Sequence, residues 1–310
     1  MLIKDPPVAI TENLLMLGTA AYPLYLFKGR TEGLLFEGGI SAMGPLLGQQ
    51  LQRLGIASSF IKQVVVTHGH PDHVMAVPLL RQMFPGIKVL ASEAAAKTLA
   101  TEKALAFFQQ IDQALCDNLA KDGQITAEHR RPPSADKQIA VDRLLKEGDA
   151  IAVDGVSFQV LETRGHSDCS LSFFEPGGRI LVISDATGYY LPAHGFWWPN
   201  YFTGYATYLD SMRRLAGMGA EVLCLSHNAA LRGADEIRAY FRDAIAATEA
   251  YHRRIISEAK AGKPVRQIAE QLGSEVYQKT QLLPLDFFQK NCGLLAKLSL
   301  RHEGMSVDKQ

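Results

Sequence analysis

The chain has 310 residues, 47% hydrophobic and 21% charged, which is enough apolar side chain for a sizeable core and too little charge for a disordered chain. Its 32 Lys and Arg balance 32 Asp and Glu, which argues against a protein built to hold a phosphate backbone. Two prolines interrupt the opening MLIKDPPVAI, no apolar run reaches the length of a membrane span, and the four cysteines (Cys116, Cys169, Cys224, Cys292) have no CxxC spacing. The expectation is a cytoplasmic protein with reduced thiols and neither nucleic acid nor membrane as partner.

Residues 8 to 36 read as short strands, VAI, LLML, PLYLF and LLFEGG. PLLGQQLQRL at 45 to 54 has helical spacing, FIKQVVV predicts a buried strand, and PLLRQMF predicts a helix with Pro78 in its first turn. IKVLAS is a further strand, 92 to 121 is helical by composition, and RRPPSAD at 130 to 136 is a loop. Asp154-Gly155 lies between alternating segments and predicts a tight hairpin, and Pro176-Gly177-Gly178 predicts a second turn. A helix is expected near 205 to 216, and VLCLSH closes the predicted strand series. From Asp235 the chain reads as helical, with Ile237, Tyr240, Phe241, Ile245 and Ile255 on one face, then shorter segments at 264 to 272 and 285 to 300.

Strands interleaved with helices and followed by a helical tail predict a sheet-on-sheet core with helices outside. The domain expectation is a catalytic unit over 1–232 and a helical extension over 233–310.

The stretch VVVTHGHPDHV, residues 64 to 74, places His68, His70, Asp72 and His73 directly after an apolar strand. His68 and His70 are two apart, so extended backbone turns both imidazoles to one side. Pro71 bends the chain and aims Asp72 and His73 at a second point. Imidazole and carboxylate suit zinc, iron or manganese, and this loop offers two ligands to each of two ions. The missing ligands follow later apolar runs: His166 after FQVLET, Asp185 after ILVIS and His227 after VLCLS.

This order, HxHxDH, then GH, then D, then H, resembles the metallo-β-lactamase superfamily over about residues 8 to 232. The resemblance implies an α+β fold, a four-layer αββα sandwich with a helical C-terminal extension. It also implies that His68, His70 and His166 hold one metal, that Asp72, His73 and His227 hold the other, and that Asp185 bridges them. DHVMAV lacks the glycine common after the last histidine of the motif, which bears on loop packing rather than on ligation.

Two divalent ions about 3.5 Å apart share a water and lower its pKa toward neutrality, and the resulting hydroxide attacks a carbonyl or phosphoryl centre. Asp72 is placed to orient that nucleophile or take its proton. After Asp185 comes ATGYYLPAHGFWWPN. Tyr189 is a candidate oxyanion donor, and Tyr190, His194, Trp197 and Trp198 are candidate substrate contacts. Packing of this aromatic cluster against the helical tail is the competing reading.

Within the superfamily, EGGIS (37 to 41), VLASE (89 to 93), GHSD (165 to 168) and DATG (185 to 188) are similar to the quinolone-signal-response thioesterase. That similarity implies a metal-dependent hydrolase cleaving an acyl thioester. Tyr189 stands where an acidic side chain is expected in that relative. Lactonase and phosphodiesterase chemistry are the alternatives, as is a regulatory binding protein that retains the site. KPVRQIAEQLG faintly resembles a helix-turn-helix segment, but neutral charge favours packing. The extension is expected to mediate a homodimer or a protein partner.

Overall fold

The computed structural model describes residues 1–306. It divides into two compact units, and the division does not follow chain order. The first comprises residues 1–162, 169–184 and 219–237, and the second 163–168, 185–218 and 238 onward.

The first unit contains two seven-stranded sheets. Its strands begin with β1 (Leu2–Ile3), β2 (Val8–Ala9), β3 (Leu14–Gly18), β4 (Pro23–Lys28) and β5 (Gly33–Phe36). Helix α1 (Met43–Arg53), β6 (Ile61–Val65), α2 (Val77–Met83) and β7 (Lys88–Ser92) come next. The predicted helical stretch 92–121 is two helices, α3 (Glu93–Leu99) and α4 (Glu102–Lys121). Ser92 caps the first by accepting from Ala95 N at 3.2 Å, and Thr101 is the N-cap residue of the second. Then come β8 (Arg143–Leu145), β9 (Ala150–Val153), β10 (Val156–Glu162), β11 (Leu171–Glu175) and β12 (Ile180–Ser184).

In one sheet the order is β2-β3-β4-β5-β6-β7-β8, antiparallel as far as β5 and parallel beyond it. The hairpin predicted at Asp154-Gly155 is present. Both residues have positive φ, 47° and 89°, and Asp154 also accepts hydrogen bonds from Thr31 N and Oγ1 at 2.7 Å.

The second unit carries a small hairpin, β13 (Tyr189–Leu191) with β14 (Phe196–Trp198), where the sequence suggested only a loop. Helix α5 (Tyr205–Ala216) follows as expected. The chain then returns to the first unit for β15 (Val222–Leu225) and β16 (Ala230–Arg232). The strand series therefore does not end at VLCLSH. The second sheet runs β1-β16-β15-β12-β11-β10-β9, and β16 is completed by pairing with β15 and with Leu2–Ile3.

Helices α6 (Ala234–Lys260), α7 (Val265–Thr280) and α8 (Leu285–His302) come last among the described elements. KPVRQIAEQLG thus belongs mostly to one continuous helix, longer than the predicted 264–272. Among the described residues no helix is long and apolar enough to cross a membrane.

The core of the first unit draws side chains from both sheets. Phe27 and Phe36 of one sheet meet Phe158 of the other with ring centroids 5.1 and 5.0 Å apart. Full burial of each such ring stabilises by roughly 1.5–3 kcal/mol. This core anchors the strands from whose ends the candidate ligands emerge. In the second unit Tyr201 is fully buried, and its hydroxyl meets Ser299 Oγ at 2.8 Å.

Candidate metal centre

Strand β6 ends at Val65, and the next residues, Val66, Thr67 and His68, have essentially no solvent exposure. Pro71 opens a single 3-10 turn, Pro71–His73, so the predicted bend is present. It leaves Asp72 Oδ2 3.4 Å from His73 Nε2 and 3.5 Å from His227 Nε2. The candidate ligand atoms of Asp72, His73 and His227 all lie within 4.8 Å of one another. His227 arrives two residues after β15, the position expected of it.

The imidazoles are tied at Nδ1. His73 Nδ1 lies 2.8 Å from Glu37 Oε2, and His227 Nδ1 lies 2.7 Å from the Ala21 carbonyl. In the second unit His166 Nδ1 lies 2.9 Å from the Asn200 carbonyl. Carbonyl and carboxylate oxygens only accept, so each fixes the proton on Nδ1 and leaves the lone pair on Nε2, the tautomer a metal ligand needs. His68 Nδ1 lies 3.1 Å from Ser184 Oγ, and its Nε2 faces His70 Nδ1 at 3.0 Å. His166 Nε2 is 3.3 Å from Asp185 Oδ2.

Two ligands held tetrahedrally about 2.0–2.1 Å from a zinc-sized ion lie about 3.3–3.4 Å apart. The separations of 3.0 to 3.5 Å cluster about that spacing. The donor set, the tautomers and the spacings therefore fit divalent metal. His68, His70, Asp72, His73 and His227 belong to the first unit, and His166 and Asp185 to the second.

Glu37 is a residue whose role the sequence reading missed. It is 2% exposed, and besides His73 it accepts from Thr67 Oγ1 at 3.0 Å. Its φ of 76° places a non-glycine residue in the left-handed region, a strain of about 1–3 kcal/mol that surrounding contacts must hold. Ser184, with φ 48°, is a second such position and meets Thr67 Oγ1 at 2.6 Å. One sequence signal for Glu37 existed: an acid terminates the wholly buried strand GLLF and is followed by two glycines.

The aromatic loop divides by burial. Tyr189 and Trp198 are buried, Tyr190 and Trp197 are half-buried, and His194 is exposed at the tip of the hairpin. Tyr190 stacks on Trp197 with centroids 4.4 Å apart, and both contact Tyr240 of α6. Trp198 packs on Phe202 and on Phe288 of α8. Burial pushes the Tyr190 phenol above its usual range.

The family model of the metallo-β-lactamase superfamily matches residues 22–227. Hydroxyacylglutathione hydrolase GloC of Haemophilus influenzae is 24% identical over 135 residues, 44% of this chain and 54% of that protein. The match thus spans about half the length of that relative. The uncharacterized protein YobT of Bacillus subtilis is 25% identical over 234 residues, 70% of this chain and 88% of that one.

Among solved structures, a metallo-β-lactamase family protein from Thermus thermophilus superposes with a TM-score of 0.64 at 22% identity, covering 96% of this chain and 95% of the other. A subclass B3 metallo-β-lactamase of Bradyrhizobium japonicum gives 0.58 at 17% identity, covering 84% and 97%. At such identities the structures speak to the fold, an α+β metallo-β-lactamase fold with two sheets and a helical C-terminal region. The family match covers most of the chain and includes every one of the candidate ligands, so the chain belongs to the metallo-β-lactamase superfamily, whose members are in general hydrolytic metalloenzymes.

Proposed function

We propose that the chain is a dinuclear metal-dependent hydrolase that cleaves an acyl thioester. In this reading, as the sequence resemblance implies, His68, His70 and His166 hold one ion, Asp72, His73 and His227, whose ligand atoms cluster, hold the other, and Asp185 is shared. The observation that supports the reading is the tethering of His73, His166 and His227 at Nδ1 by a carboxylate or carbonyl acceptor, which leaves the lone pair of each Nε2 available to a metal.

When bound, such ions polarise a substrate oxygen and make a water acidic enough to supply a nucleophile near neutral pH. Glu37, the Ala21 carbonyl and the Asn200 carbonyl hold the rings in place, so little reorganisation is needed during reaction. The Asp72 carboxylate, partly exposed beside two imidazoles, is the candidate proton acceptor. Tyr189 is the candidate oxyanion donor, and Tyr190, Trp197, Trp198 and His194 are the candidate substrate contacts.

Thioester cleavage is favoured because a thiolate leaves without a dedicated general acid, and because GloC is named for hydrolysis of a hydroxyacylglutathione. Initial rates on an acyl-coenzyme A, an acylglutathione, an acyl lactone and an aryl phosphodiester, each with zinc, iron or manganese, test the reading. Preference for the two thioesters supports it. Faster turnover of the lactone or the phosphodiester reassigns the substrate, and no turnover with any metal removes the enzymatic reading.

A further inference from the structure

The first unit contains a cleft of about 220 Å³ that the proposed reaction does not use, lined by α2, α4 and the loop at 131–135. Asp112 of α4, 2% exposed, is among its lining residues. Its Oδ1 accepts from Ser41 N at 2.7 Å and from the Cys116 thiol at 4.0 Å, and its Oδ2 accepts from Ser41 Oγ at 2.5 Å. Arg131 stands exposed among the lining residues, and its Nη1 donates to the carbonyls of Glu128 and Arg130 at 3.0 and 3.1 Å.

Among the described residues neither Asp112 nor Arg131 enters an ion pair, so two opposite charges line one cleft more than 4.0 Å apart. Burial pushes the Asp112 carboxyl above its usual range, as removal from water without a cation must. A buried carboxylate without a counter-charge is costly, and a ligand cation would offset that cost. Met75, Leu79, Pro132 and Pro133 contribute apolar lining to the same cleft.

We propose that this cleft binds a small zwitterion, with its ammonium on Asp112, its carboxylate on the Arg131 guanidinium and its apolar body against Leu79 and the two prolines. The space equals roughly seven water volumes, which suits a single amino acid or a short ω-amino acid. Arg131 presents a planar fork matched to a carboxylate. Gln109 is already committed to the Ser134 carbonyl at 2.7 Å, which leaves the two charges as the main discriminators. The assignment is independent of the reaction proposed above.

Isothermal titration of the full-length, metal-loaded protein tests it with four probes: norleucine, 6-aminohexanoate, hexylamine and hexanoate. At least one zwitterion is expected to bind tenfold or more tightly than either singly charged probe, and Asp112→Asn and Arg131→Gln are each expected to weaken it at least tenfold. Arg131 is exposed, so that variant keeps the fold and the comparison intact. Equal binding of hexanoate or hexylamine, absence of binding up to millimolar probe, or an unchanged Kd in Arg131→Gln overturns the proposal. The last outcome also identifies a probe carboxylate caught by the metals instead of the cleft.

Discussion

Removal of the Glu37 carboxylate isolates the contribution of the residue that orients His73. The contact to His73 Nδ1 is 2.8 Å, and both partners are nearly excluded from water, with side-chain exposures of 2% and 3%. A hydrogen bond to a charged group is worth about 1.5–3 kcal/mol and a neutral one about 0.5–1.5 kcal/mol. Glu37→Gln keeps an acceptor oxygen but loses the charge, so about 1 kcal/mol is lost, roughly a fivefold weakening of the metal proposed for Asp72, His73 and His227. Glu37→Ala removes the acceptor and leaves Thr67 Oγ1 with one fewer partner. Loss of such an orienting group weakens metal binding about 10–100-fold, or about 1.4–2.7 kcal/mol. Competition titration of zinc against a chromophoric chelator, with circular dichroism to confirm folding, reads both variants. The expected order of affinity is wild type, then Gln, then Ala, with one of two binding steps affected. Wild-type affinity in the Ala variant would refute the orienting role.

Gly165→Ala is expected to destabilise the protein. At φ +123° a Cβ there would lie 2.5 Å from Tyr208 N and 2.6 Å from Tyr208 Cβ, so a fall in Tm of several degrees is predicted, and an unchanged Tm by calorimetry contradicts the packing argument. Tyr25→Phe removes a hydroxyl that donates to the Leu225 carbonyl at 2.6 Å with the Ala229 carbonyl at 3.2 Å. The loss should cost about 1–3 kcal/mol in urea unfolding with no change in slope. The hydrogen bond from Arg254 holds the Glu275 carboxyl below its usual range. A depressed carboxyl contributes stability at neutral pH that is lost as pH falls through its folded-state pKa. Glu275→Gln should therefore be less stable than wild type at pH 7 and converge with it in acid below the usual glutamate range; a gap that persists at low pH would count against that linkage.

The candidate ligands were legible because their signal is local. His68 to His73 crowd one turn, and His166, Asp185 and His227 each follow an apolar run that is a strand in the structure. The hairpin at Asp154-Gly155 was legible for the same reason, two adjacent residues with positive φ. Ala230–Arg232 was not, because three residues carry no periodicity and its strand character comes from pairing with Leu2–Ile3 more than 220 positions away. The break between α3 and α4 escaped a compositional reading, since Ala100-Thr101 differs little from its helical surroundings and the capping geometry marks it. Glu37, Ser184 and the Ala21 and Asn200 carbonyls were hidden because their roles depend on which atoms the fold brings to the histidine rings. The aromatic loop carried two readings, and contacts of Trp197 with α6 and Trp198 with α8 show that packing accounts for part of it.

The central claim is a pair of ions held by the seven candidate ligands. Elemental analysis of the full-length protein after purification with zinc, iron and manganese supplied, repeated on His70→Ala and His227→Ala, tests it most directly. The account predicts two divalent ions per chain in the wild type, about one in each variant, and loss of hydrolysis in both. No bound divalent ion in the wild type, or an unchanged content of two ions in both variants, would contradict it.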